Sequence, residues 1–142
     1  MSIKKYSVAL TAWLHLNDGD GNPMFADGPD GKPDPKKPMR VELYSPGSKQ
    51  YGAANAAQNN RLIDKMKAKG KSRQTEAEQA KEKADFLADV TKSFENIEYE
   101  EGLEGKELFK AVYADREIGF VADQVNEYLG DWANFTKASP TP

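Results

Sequence analysis

EIGFVADQVNEYLGDWANFTK, residues Glu117 to Lys137, is the stretch on which the fold turns. Ile118, Val121, Val125, Leu129 and Trp132 recur there at helical spacing with Tyr128 beside them, so one face of a helix carries a sustained apolar stripe. Asp115, just upstream, stands where an N-cap would accept the free amides of the first turn. No other stretch joins so long a periodic run to side chains so large. It is expected to be the helix against which the rest packs, with Trp132 in the core. Phe120 falls off the stripe by about 100°, and Gly119 beside it leaves room for close approach. Phe135 lies at the far edge of the stripe, where burial should be partial.

Moving back along the chain, KELFKAVYA (Lys106 to Ala114) reads as a short helix with Leu108, Phe109, Val112 and Tyr113 as its apolar side. Glu95 to Glu107 before it is acidic and broken by Gly102 and Gly105. Paired carboxylates can do acid–base work. Here no histidine, second cluster or glycine-rich phosphate loop accompanies them, and the stretch reads as a solvated linker. Thr75-x-x-Glu78 is a capping-box pattern opening a helix whose latter half carries Phe86, Leu87, Val90, Phe94 and Ile97 on one side. The turn Ser45-Pro46-Gly47-Ser48 feeds an earlier helix, Lys49 to Lys69, closed by Gly70. Leu62, Ile63 and Met66 are its apolar end, and the same face runs back through Asn59, Ala56, Asn55 and Gly52. These two helices make a helical hairpin over 48–94. Lys65, Lys67, Lys69, Lys71 and Arg73 crowd its tip. No aromatic residues interleave with them, as a single-strand nucleic-acid face would require, so they read as a solvated loop offsetting a helix dipole.

Ile3 to Leu16 alternates Tyr6, Val8, Leu10, Ala12, Leu14 and Leu16 onto one face, a strand period of two. The other face, including Trp13 and His15, is mixed. Met39 to Tyr44 repeats the alternation, and the pair predicts an antiparallel hairpin. Between them Asn17 to Pro38 is rich in Asp-Gly and proline, which break both helix and central strand. It is expected to be a long, mobile loop that folding can spare. Asp18, Asp20 and Asn22 start like a calcium loop, but Pro23 and Pro29 stand where glycine and the bidentate glutamate belong.

The 142 residues fit one domain, with no cysteine for disulfides or thiol chemistry, and the net charge of −3 argues against a chain that is basic overall. No apolar run is long enough to span a membrane. The N-terminal lysines before an apolar run echo a secretion signal, but His15, Ser7 and Thr11 break it. The expected fold is α+β: an N-terminal β-hairpin (1–47) with a long Asp/Gly/Pro-rich loop, then about four helices, the helical hairpin (48–94) and C-terminal helices (103–137), in one mostly helical domain, 1–137. A disordered tail, 138–142, comes last. One histidine and scattered hydroxyls build no nucleophile–base set. The residues point to a binding domain without catalytic, metal or cofactor groups.

Three stretches resemble the tail assembly chaperones of long-tailed, siphovirus-like bacteriophages: VELYSPGSKQYGAANAAQNNRLIDKMKAKGK, FLADVTKSFENIEYEEGLEGKELFKAVYADREIGFVADQV and LGDWANFTK. The resemblance spans most of Arg40 to Lys137. Its most specific part is Leu108-Phe109, Tyr113, the turn at Asp115 and Gly119-Phe120, ending in Trp132-Ala133-Asn134-Phe135. It implies a non-enzymatic protein that binds the phage tape measure protein during tail assembly, keeps it soluble and recruits tail tube subunits. It would act in the host cytoplasm during infection and be absent from the mature virion. A structural virion protein of the tail or head–tail joint is the alternative, and a nucleic-acid-binding module using Lys65 to Arg73 a further one. The candidate partner-binding residues are Trp13, Ala53, Ala57, Phe120 and Phe135. The alanine-rich helix face (Ala53, Ala57) and the strand face around Trp13 also suggest a homo-oligomer.

Overall fold

Three antiparallel strands form the central sheet of the computed structural model, which describes residues 3–69 and 76–136. β1 (Thr11–His15) pairs with β4 (Arg40–Tyr44) from Thr11↔Tyr44 to His15↔Arg40, and β5 (Thr91–Glu95) lies on the other side of β4. Val41 and Leu43 on β4 are fully buried. They meet Leu87 and Val90 from the helical side, together with Val112, Val121, Val125 and Leu129, in one contiguous core. The helices are α1 (Lys49–Lys69), α2 (Glu76–Asp89), α3 (Gly105–Ala114) and α4 (Gly119–Leu129). The architecture is α+β, as the alternation at both ends of the N-terminal hairpin and the helical periodicity beyond it predict. Gly70, Lys71, Arg73, Thr75 and the tail 138–142 lie outside the described residues.

The first strand is shorter than its pattern. Ile3–Tyr6 is a 3-10 turn, and Tyr6 and Leu10 are exposed, while Ala12, Leu14 and Leu16 hold the expected inward face. The chain between β1 and β4 is also more ordered than its prolines suggest. β2 (Phe25–Asp27) pairs with β3 (Pro33–Pro38) in a separate two-stranded ribbon. A two-stranded ribbon needs hydrogen bonds on one side of each strand only, so proline's missing N–H is tolerated there. Its root is fixed to the body: Met24 N–H donates to the Leu16 carbonyl and Met39 N–H to the Met24 carbonyl. His15 Nε2 lies 2.8 Å from the Met24 carbonyl oxygen, and Phe25 stands edge-on to the His15 ring. Asp18 Oδ1 accepts from the amides of Asp20 and Asn22, closing a side-chain turn.

The predicted helix through Phe94 ends five residues early, at Asp89, and the residues after it are β5. Thr91 Oγ1 donates to the Leu87 carbonyl at 2.7 Å and so satisfies a terminal acceptor of α2. Tyr44 N–H takes the Val90 carbonyl, which ties the helix end to β4. Phe94 then points inward against Phe109 and Tyr113, with ring centroids 4.4 and 5.8 Å away. Glu95 turns to Arg40, which grips it through Nε and Nη2. Two strands alone are marginal, and a third strand completing the sheet outweighs the helical spacing of Phe86, Val90 and Phe94.

The stretch from Glu117 is broken too. Asp115 Oδ1 does accept the Glu117 amide, but it caps a 3-10 turn, Arg116–Ile118, ahead of α4. α4 stops at Leu129, and Asp131 caps a new 3-10 turn, Trp132–Phe135, through the Ala133 amide. The break changes the phase of the residues beyond it: Trp132 is 56% exposed and Phe135 only 1%. The stripe therefore ends at Leu129, and Phe135, not Trp132, is the core aromatic.

Candidate partner-binding surface

α1 is turned about a third of a revolution from its predicted orientation, which leaves Leu62 half-buried. Its packed side is Tyr51, edge-on to Phe86, with Ala54, Arg61 and Lys65. Arg61 Nε and Lys65 Nζ reach Glu82 on α2 at 3.2 and 2.6 Å, and Arg61 also reaches Asp89. Burial alone pushes the Glu82 carboxyl up. The hydrogen bonds and charges of Lys65 and Arg61 more than reverse this and hold it below its ordinary range. Asn55 and Asn59, whose burial would have demanded partners, are exposed, as are Ile63 and Met66.

The five sequence-predicted partner residues fall on four elements. Trp13 lies on the outer face of β1, its ring under the Arg40 guanidinium at 4.6 Å. Ala53 is exposed on α1 and Ala57 half-buried. Phe120, at the start of α4, is half-buried against the core, and Phe135 is enclosed with Tyr128 edge-on to its ring. The expectation of partial burial for Phe135 fails because the turn at Asp131 folds it inward.

A different feature gathers three residues of the most specific sequence pattern. An open groove of about 410 Å³ lies between the first half of α2, the end of α3 and the first turn of α4. Tyr113, Asp115 and Gly119 line it, with Ala80, Ala114 and Ala122 providing a low floor. Lys83 and Asp123 join across it at 3.1 Å, and Arg116 pairs with Glu76 at 3.4 Å, so its rim carries both charges. Tyr99 Oη donates to Asp115 Oδ2 at 2.7 Å, and this hydrogen bond to a carboxylate pushes the phenol up to about 12. A Cβ added to Gly119 would meet nothing within 4 Å. Single residues of this groove could be read from the sequence, but its α2 wall could not, because Ala80 and Lys83 sit in a stretch of alanine and charge with no apolar signal.

A second groove of about 410 Å³ runs beside β1 and is polar in use. Gln124 of α4 clamps Asn17 there, its Oε1 accepting the Asn17 amide at 2.8 Å and its Nε2 donating to the Asn17 carbonyl at 2.6 Å. This lining is tied up within the fold. Among the described residues no group of three or more His, Asp or Glu side chains is placed to hold a metal ion, and no helix is long and apolar enough to cross a membrane. No known protein family, curated protein or solved structure matches the chain.

Proposed function

We propose that the protein is a non-enzymatic tail assembly chaperone of a long-tailed bacteriophage. On this reading it holds the tape measure protein soluble in the host cytoplasm during tail morphogenesis and recruits tail tube subunits. The observation that carries the reading is the groove at Gly119. Of the residues on which the chaperone resemblance is most specific, Tyr113, Asp115 and Gly119 line one open depression and Leu108, Phe109 and Phe120 pack on the core, while Trp132-Ala133-Asn134-Phe135 stand outside its lining. An alanine and glycine floor lets a client helix backbone approach closely, and a rim of both signs accommodates its polar flanks. Lys65, the first residue of the rival basic cluster, is engaged by Glu82.

Gly119 has an ordinary helical φ of −58° with open space at its Cβ, so a large side chain there fills the groove without straining the backbone. Gly119→Phe is expected to keep the melting temperature within a degree or two and to abolish co-purification with co-expressed tape measure protein. A folded variant that still co-purifies would move the contact elsewhere. Detection of the protein in purified particles by mass spectrometry would favour the structural virion alternative.

A further inference from the structure

α1 carries a second stripe that none of the described residues covers. Gly52, Ala56, Asn59, Ile63 and Met66 are spaced four, three, four and three residues apart, and all five are exposed. At about 100° per residue they fall within roughly 80° of one another, opposite the Tyr51–Ala54–Arg61–Lys65 side that packs on α2. Ile63 and Met66 are 49% and 68% exposed, and a Cβ on Gly52 would meet nothing within 4 Å. Single exposed apolar residues are ordinary. A charge-free run of them at alternating four and three spacing on a 21-residue helix is the seam by which helices pair.

The seam also says what fits it. It is narrow at Gly52 and Ala56 and bulky at Ile63 and Met66. A partner helix must therefore offer bulk to the first half and little to the second. A second copy running antiparallel does both, since the Ile63–Met66 end of each helix lies over the Gly52–Ala56 end of the other. A parallel copy would leave a gap at the glycines and crowd the methionines. Charge selects the same direction. Lys67 flanks the seam at the C-terminal half, and the corresponding flanks in the N-terminal half are Ala53 and Asn60, both neutral. Antiparallel pairing sets Lys67 against those neutral flanks. Parallel pairing sets two helix dipoles of like sense side by side.

We infer that α1 pairs antiparallel with α1 of a second copy, about a two-fold axis near Asn59. The polar Asn59 in the middle of the seam fixes its register, at some cost in strength. Two helices alone make an interface at the small end of the specific range, so the pairing is expected to depend on concentration. This face is separate from the Gly119 groove, and the inference does not rest on the chaperone reading.

Sedimentation over a wide concentration range tests it, with the Ile63→Lys/Met66→Glu double variant beside the wild type. The wild type is expected to pass from monomer to dimer and the variant to be weakened at least tenfold, with unchanged circular dichroism because both side chains already face water. The chain has no cysteine, so single substitutions report direction. A short bis-maleimide is expected to join Asn59→Cys chains and not Gly52→Cys chains, whose two sites lie more than about 20 Å apart along antiparallel helices. A wild type that stays monomeric at millimolar concentration, or a dimer that the double variant retains, overturns the pairing. Efficient Gly52→Cys cross-linking overturns its direction.

Discussion

Glu82 is the only charged side chain among the described residues that is buried, at 5% exposure. Its folded pKa is depressed, so its contribution to stability is complete above the ordinary value of 4.5 and is lost as pH falls below that through the folded value. Glu82→Gln is expected to cost about 2 kcal/mol at neutral pH, because Lys65 and Arg61 lose a charged acceptor but remain able to reach water. In urea titrations the gap from wild type should narrow steadily below pH 4.5. A constant gap down to pH 3 would mean that the carboxylate charge is not what joins α1 to α2. The same residue explains a misreading. The inner side of α1 is built from Tyr51, an alanine and two cations, which hydropathy scores as an outer side. Ion pairing across a helix contact leaves no mark on apolar periodicity, so Ile63 and Met66 drew the inward assignment instead.

The boundaries of α2 and α4 show where periodicity stops being informative. Phe86 and Leu87 sit inward on a helix, Val90 just past its end and Phe94 on a strand, and a spacing of four serves them all. What separates them is Thr91, whose hydroxyl ends the helix, and the free side of β4, which a single sequence does not display. At Gly130–Asp131 the signal was present as a helix stop and then an N-cap residue, but the large side chains beyond it outweighed it. The consequence can be measured. Phe135→Ala should cost about 3–5 kcal/mol, the range for removing a buried aromatic, and Trp132→Ala less than about 1 kcal/mol. Denaturant unfolding of the two variants decides it, and equal losses would contradict the break. The α+β class, the α1 boundaries, the short helix α3 and the Asp115 cap were all legible, since each rests on local turn chemistry or on one uninterrupted pattern.

For the molecule as a whole, the unread part is what joins distant residues. The Gln124–Asn17 clamp, the Arg40–Glu95 grip and the groove at Gly119 each pair side chains with no periodic relation in the chain. The five partner candidates were chosen for exposure or small size along single helices and strands, and the fold distributes them rather than assembling them.

Ala9 N–H donates to the Phe135 carbonyl, and Val8 bridges to Thr136. During synthesis this makes the segment ahead of β1 wait for nearly the whole chain. β1 and β4 can pair early, and α1 and α2 can join them, but the aromatic that seals the floor beside Tyr128 emerges more than a hundred residues after Ala9. Until then a ribosome-bound chain presents bare leucine and valine side chains to water, the state most open to misassociation. A chain stopped at Gly130 is therefore expected to bind a hydrophobic dye and to melt without a sharp transition, whereas one stopped at Thr136 should melt cooperatively.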